Sequence, residues 1–597
     1  MSITTMIDNI ELVVHITHEA GVKVGGIGAV LNGLLGAQAY KNAVERTIVV
    51  GPLNIDNPGE MERLFDPGND LRLRYAAPLS IDTLSPELSR QFQAIERTYN
   101  VQIYYGKRPF RDVFHEILLI NVADIVETEL NDFKYSLWDK FGLDCGQYEF
   151  DPEFRRFVNL AEPAYAALYH LTAETAGPRV LLAHEWMGMP FVLAALMKDP
   201  RDWFTAFYAH EVATARLLVE EHPGHDTRFY NTMRVAQDEQ KSIDAVFGDQ
   251  SYYYKHVLLR LASVCDGILA VGDLVVDELR FLGGEYRHKE IALVYNGVPS
   301  FPITLEEKQH SKSLLQTYTQ NLLGFNPDFV FSHVTRFVTS KGMWRDMRVL
   351  NHLDAMLALA GKQAVLFVLS SFEPAGRSAA QVHLWEQEYG WPVNHRADNH
   401  DLLGHEVDFY FDVLKPFNQK SQAIKAVLVN QFGWSRDRCG QRMPAEMNFM
   451  DLRKGADLEF GQSIYEPFGI AQVEPLSFGA LCVVSNVCGC VGFVERASSD
   501  LPEFPNLVVA DYVTPPPDWT FQNTAEAMRL DKYGRDLIEI SSSQTVAQTI
   551  AARLPLNDEE SEELLALGQK VGSRMSWEVV VKDYLLPALE QAMGVAR

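Results

Sequence analysis

Two carboxylates eight positions apart, Glu466 and Glu474, stand in the stretch Ser463-Ile-Tyr-Glu-Pro-Phe-Gly-Ile-Ala-Gln-Val-Glu474. On one straight helix, eight steps leave the second residue roughly 80° from the first, so a single helical face does not explain the pair. The spacing predicts Glu466 in a loop and Glu474 in the first turns of the helix that follows. The start of that helix, around Gly469 and Ile470, then lies between them. Pro475 suits an early helical position, where its missing N–H has no partner to lose. The open end of a helix offers backbone N–H groups to an anion, and carboxylates bind hydroxyls. Both are what a nucleotide-sugar site requires.

Cations for such an anion occur in two places. Lys23 stands with Gly25, Gly26 and Gly28 between an apolar strand run, Glu11 to Thr17, and a helical pattern from Ala29 to Ala39. Glycines let the backbone approach a phosphate, and the lysine adds charge. The spacing is neither that of a Walker loop nor that of a Rossmann fingerprint, and a plain tight turn is the alternative. Arg336 and Lys341, with Gly342 next, follow another apolar run; a guanidinium fork and an ammonium point charge together suit a diphosphate leaving group. Two histidine segments, His184-Glu185-Trp186 and His210-Glu211, each follow a strand run and so stand at a strand's carboxyl end. Tyr295-Asn296-Gly297 reads as a turn.

The bulk composition narrows the classes. The chain has 597 residues, 47% of them hydrophobic and 22% charged, with a formal charge of −26. It is long enough for more than one core. That charge argues against nucleic acid and against adhesion to anionic membranes, though a few basic residues can still converge on a small anion. No apolar run reaches the ~20 residues of a membrane span. The start, with Asp8 and Glu11 and no basic residue, does not read as a signal peptide. Six cysteines are too few for a disulfide scaffold and suggest a reducing, cytoplasmic setting. Cys488-Gly-Cys490 has no second Cys/His pair at ligand spacing, so no metal site is expected.

Strand and helix patterns alternate along both halves. Apolar runs at 46–50, 179–183, 204–208 and 267–271 fall in the first half, and runs at 329–334, 364–369 and 481–485 in the second. The expected fold is α/β: two doubly wound, parallel-sheet, Rossmann-like domains facing across a deep cleft. Residues 1–310 are expected to form the N-terminal domain and 311–575 the C-terminal one. A final amphipathic helix, 576–597, crosses back to the first.

Taken in order, these segments resemble the retaining glycosyltransferases of the GT-B fold, and among them the glycogen and starch synthases. Lys23-Val-Gly-Gly is similar to their Lys-x-Gly-Gly loop, and His184-Glu-Trp to their His-Glu/Asp-Trp segment. His210 and the stretch from Arg216 to Asn231 resemble the animal and fungal enzymes more than the bacterial ones. Arg336 and Lys341 resemble the Arg-x4-Lys-Gly pair, Glu466 and Glu474 the E-x7-E motif. Regions near 55–130 and 375–430 carry no matching motif. The C-terminus lacks the arginine-rich helix by which the animal and fungal enzymes sense glucose 6-phosphate.

The resemblance implies transfer of glucose, with retained configuration, from UDP- or ADP-glucose to the 4-hydroxyl of an α-glucan. Residues 1–310 would then be the acceptor-side domain and 311–575 the nucleotide-sugar domain, and no metal or other cofactor is implied. Glu466, His210, Arg336 and Lys341 would be catalytic: Arg336 and Lys341 at the leaving diphosphate, Glu466 at the glucose hydroxyls and the charge near C1, His210 at the donor sugar. Lys23, Gly25, Gly26, Asn296, Gly469, Ile470 and Glu474 would bind the nucleotide sugar, Glu474 through its ribose. His184 and Glu185 would lie near the acceptor or the donor sugar. Other acceptors stay open: a sugar phosphate, a small polyol or a lipid-linked glycan. So do a hydrolase or phosphorylase using the two glutamates, a non-catalytic glucan-binding protein, and a homo-oligomeric state.

Overall fold

A computed structural model of the chain describes residues 10–199, 203–372 and 376–594. The chain forms two compact units: residues 1–214, 241–297 and 577–597 make the first, and residues 215–240 and 298–576 the second.

Among the described residues, the first unit is built on ten strands: β1 (Ile10–Ile16), β2 (Val44–Leu53), β3 (Arg72–Ala76), β4 (Ile81–Asp82), β5 (Gln102–Phe110), β6 (Val113–Asn121), β7 (Arg179–His184), β8 (Phe204–Ala209), β9 (Gly267–Ala270) and β10 (Ala292–Leu293). Their order is β10-β9-β8-β7-β1-β2-β6-β5-β3-β4. From β10 to β6 every pairing is parallel. Strands β5, β3 and β4 extend this sheet antiparallel, in a region without a sequence motif. The reason is local. Only Arg111 and Asp112 separate β5 from β6, and Arg111 has φ +53°. So short a link makes a hairpin and cannot make a parallel crossover. The helix after the glycine loop, Gly26–Leu35, stops at Gly36 and does not run on to Ala39 as the pattern suggests.

The second unit holds β11 (Phe329–Arg336), β12 (Ala364–Ser371), β13 (Ile424–Val429), β14 (Leu458–Gly461), β15 (Leu481–Ser485) and β16 (Leu507–Ala510). All its pairings are parallel, in the order β13-β12-β11-β14-β15-β16. The central strands are unbroken apolar runs because both faces are covered, as parallel sheets require. The order reverses between β11 and β14, and in the first unit between β1 and β7. Ligands of such sheets bind outside the carboxyl ends of the strands at these reversals.

Two further features complete the units. In the first, the C-terminal helical stretch opens with Trp577, whose ring lies where a Cβ on Gly33 or Gly297 would stand. Glu578 then accepts the amides of Gln38 and Ala39 at 2.6 and 2.9 Å. In the second, Arg345 is fully buried. It binds Asp226 through both terminal nitrogens, at 2.9 and 2.7 Å, and Glu539 through Nε at 2.8 Å. It also reaches the Ser463 carbonyl at 3.2 Å. Residues 215–240 thus join the second unit through a charge its core must neutralise. Among the described residues, no helix is long and apolar enough to cross a membrane.

Removing one partner from a buried ion pair leaves an uncompensated charge, which costs about 3–5 kcal/mol. Arg345→Ala should therefore destabilise the second unit by that amount in denaturant titration. A loss below ~1 kcal/mol would mean the guanidinium is not what balances Asp226 and Glu539.

Candidate functional site

In the second unit the loops after β11 and β14 meet. The backbone turns at Gly342 with φ +59°, and a Cβ there would lie 2.7 Å from the Gln462 carbonyl oxygen, so glycine is needed for both reasons. The Ile464 amide donates to the Ser340 carbonyl at 2.8 Å. Gln462 is held from two sides, donating to Asp346 at 2.8 Å and accepting from the Tyr512 hydroxyl at 2.6 Å. On this frame Lys341 Nζ reaches Glu466 Oε2 at 2.5 Å. Gln472 Nε2 donates to the same oxygen at 2.8 Å. Both side chains are mostly buried, Lys341 at 17% exposure and Glu466 at 12%. Arg336, the last residue of β11, is exposed, and its guanidinium has no partner among the described residues.

Glu466 stands in the loop after β14, and Gly469 caps a short helix, Ile470–Val473, that continues as a tighter turn from Glu474 to Phe478. Gly469 has φ +91°, and a Cβ on it would meet Cys488 Sγ and Gln472 Oε1 at 2.8 Å. The first amides of this helix are those that no helix satisfies internally. Glu474 Oε2 accepts from Arg453 Nε at 3.0 Å, so the two glutamates of the motif face different partners. Arg453 is fully buried and also binds Glu459 at 3.0 Å and the Ala471 carbonyl. Pattern reading misses Arg453, whose partners lie at unrelated spacings. Cys488 and Cys490 lie with sulfurs 3.2 Å apart, buried beside this loop.

In the first unit three histidines line the carboxyl ends of adjacent strands. His15 Nδ1 lies 2.9 Å from His184 Nε2, and His184 Nδ1 lies 2.9 Å from His210 Nε2. His15 was open to detection, since it stands near the end of an apolar run as His184 and His210 do. Glu185 is buried and takes φ +65°, ψ 179°, a conformation of glycine. Such strain persists only where its surroundings impose it. Here Oε1 accepts the amides of His210 and, at 2.7 Å, Glu211, which fixes the backbone that carries the His210 ring. Burial, with Glu211 adding to it, raises the Glu185 carboxyl well above its usual range.

The glycine loop is organised from within. Glu19 Oε2 accepts the amides of Val24 and Gly25, each at 2.7 Å, which occupies two of the donors that a phosphate would use. Gly26 has open space around it, and Lys23 is exposed with no partner among the described residues. Asn296 is buried at 7% exposure, and its Oδ1 accepts no hydrogen bond among the described residues. Thus Lys341, Glu466 and Gln472 come together in one unit and His184, Glu185 and His210 in the other. Glu474 pairs separately with Arg453.

No protein-family model matches the chain, and no curated protein matches it in sequence. Solved structures do share its fold. The catalytic domain of starch synthase IV from Arabidopsis thaliana, bound to ADP and acarbose, superposes with a TM-score of 0.53 at 14% identity, over 99% of this chain and 100% of that one. The N-terminal domain of trehalose-6-phosphate phosphatase from Candida albicans gives 0.50 at 10% identity, over 99% of each chain. The chain therefore has the GT-B type of fold, an α/β architecture of two units built on parallel sheets.

Burial holds His15 and His184 well below the usual 6.5 and lowers His210 to about 3. An unfolded chain takes up protons on these rings from about pH 6.5 downward, whereas the native chain resists until much lower pH. Stability should therefore fall as pH drops below about 6.5, by on the order of 1 kcal/mol per pH unit for each ring. Urea unfolding between pH 7 and pH 5 measures the slope, and His210→Gln should remove one ring's share.

Proposed function

We propose that this chain is a retaining glycosyltransferase that moves glucose from UDP- or ADP-glucose to the 4-hydroxyl of an α-1,4-glucan. The observation that carries the reading is the contact of Lys341 with Glu466 where the loops after β11 and β14 meet. A cation and a carboxylate are held together at the strand-order reversal, beside an exposed arginine and a helix start. A departing diphosphate needs the first kind of group, and a sugar carbon gaining positive charge needs the second. The ordered motifs and the fold shared with a starch synthase catalytic domain support the same class.

Lys341 has three donors and gives one to Glu466, which leaves others for a phosphate oxygen. Arg336 adds a free guanidinium, and the amides after Gly469 add the start of a helix. Glu474 keeps Oε1 for a ribose hydroxyl, since Arg453 takes Oε2. Glu466 binds glucose hydroxyls and balances charge near C1. His210 touches the donor sugar, with His184 and Glu185 behind it; Lys23, Gly26 and Asn296 complete the binding of the nucleotide sugar. The bond from C1 to the diphosphate oxygen breaks, and the acceptor oxygen bonds to C1 from the same face. The acceptor's proton passes to a phosphate oxygen. A reducing, cytoplasmic setting suits six cysteines that are all unbridged.

The same arrangement of cation, carboxylate and helix start would serve a second acceptor class, a sugar phosphate. Incubation with UDP-glucose and ADP-glucose, each with glycogen or with glucose 6-phosphate, separates the two. Nucleoside diphosphate release with chain extension on glycogen is expected. Release only with the sugar phosphate would select the second acceptor, and no release with either donor would end both readings. Glu466→Gln should lower kcat by about 10²–10³ while the nucleotide still binds. Lys341→Ala should raise the calorimetric Kd of the nucleoside diphosphate about tenfold or more, in keeping with loss of one charged hydrogen bond.

A further inference from the structure

The three histidines belong to a longer chain of hydrogen bonds. His15 Nε2 lies 2.9 Å from the Tyr40 hydroxyl, which lies 3.1 Å from Thr47 Oγ1. Thr47, Tyr40, His15 and His184 are all buried, and both nitrogens of His15 and of His184 are engaged. The His184 and His210 rings are nearly coplanar, at 7°, with centroids 5.1 Å apart. That separation and the 2.9 Å contact describe rings joined edge to edge through one hydrogen. His210 Nδ1, at the end of the chain, has no hydrogen-bond partner among the described residues.

Each ring here is neutral and carries one hydrogen, so only two arrangements keep both histidine–histidine bonds. In the first, His184 donates from Nδ1 to His210. His15 must then donate from Nδ1 to His184, its bare Nε2 accepts from Tyr40, and His210 carries its hydrogen on the outward Nδ1. In the second, every hydrogen points the other way and His210 Nδ1 is bare. The far end of the chain decides between them. With the second, Tyr40 donates to Thr47, and the Thr47 hydroxyl hydrogen is left buried without an acceptor. With the first, Thr47 donates to Tyr40 and Tyr40 to His15, so every buried hydrogen is accepted. An unmade bond at a buried donor is the larger cost, so the first arrangement wins.

We infer that Tyr40 is a positioning residue that, through His15 and His184, fixes His210 with its hydrogen on Nδ1, so that His210 donates a hydrogen bond to an oxygen of the sugar and takes no proton from the acceptor. The sugar contact rests on the function proposed above; the tautomer does not. The low basicity of the three rings agrees with it. A histidine so fixed is no general base, which leaves the acceptor's proton to a phosphate oxygen.

Ring nitrogen NMR on the full chain labelled with ¹⁵N-histidine tests this without any ligand. The chain has 17 histidines, and the His210 signals are those lost in His210→Gln. The expected spectrum has hydrogen on His210 Nδ1 and a bare Nε2; the reverse overturns the inference. Tyr40→Phe leaves His15 Nε2 without a partner in either form, which narrows the preference, so the reversed form should appear beside the expected one and kcat/KM should fall about tenfold, the worth of one hydrogen bond. An unchanged tautomer in that variant would overturn the relay, whatever its activity. In Thr47→Val, Tyr40 keeps His15 as its acceptor, so the wild-type pattern should persist, and its reversal would also count against the relay. A chain with the expected tautomer but no glucosyl transfer would remove the proposed function and leave the relay standing.

Discussion

Arg345 carries a full positive charge with no exposed surface, and much of the second unit is arranged around it. A buried guanidinium has to meet carboxylates and carbonyls in its own plane, because water is not there to help. Asp226 and Glu539 come from distant parts of the sequence to do so, and the Ser463 carbonyl takes a remaining hydrogen. The same contact therefore holds residues 215–240 in the unit and anchors the loop that ends at Glu466. Arg453 repeats the device on the other side of that loop, joining Glu459, the Ala471 carbonyl and Glu474. Two buried cations thus fix the stretch from Ser463 to Glu474, whereas Arg336 is exposed and Lys341 keeps a small open part where a ligand can reach it.

The first unit solves the problem of buried polarity differently. Its carboxyl-end cluster consists of imidazoles and hydroxyls, which lose less than ions on leaving water. Hydrogen bonds, and not ion pairs, give the cluster its order, and that order has a direction because each ring has one hydrogen to give. Glu185 is the exception, and it is an acid raised by burial whose Oε1 is spent on backbone amides. The consequence is a neutral, hydrogen-bonded cluster in the first unit and a charged, partly open one in the second.

Much of this was legible before any coordinates. Strands β1, β7, β8, β11 and β12 announce themselves as apolar runs, because a parallel strand covered on both faces has no polar side to show. The placement of Glu466 in a loop and Glu474 past a helix start follows from their spacing and from Gly469 and Pro475. The antiparallel extension was not legible, since its register depends on a two-residue link at Arg111 that carries no glycine. Neither were Arg345 and Arg453: a buried arginine looks like any surface arginine until its partners, 119 and 194 positions away for Arg345, are brought to it. Glu19, which closes the glycine loop on itself, gave no signal beyond its nearness to Lys23.

Trp577 fills space beside Gly33 and Gly297 that no earlier residue occupies. A ribosome makes residues 10–297 long before it reaches this tryptophan, so the nascent first unit must wait with a glycine-lined face bare. The second unit's 298–576 emerge whole in the meantime and can fold as a body. The order of synthesis is thus the reverse of the order of completion: the unit begun first is finished last. During that interval the bare face is open to misassociation, and the helical stretch that begins at Trp577 closes it.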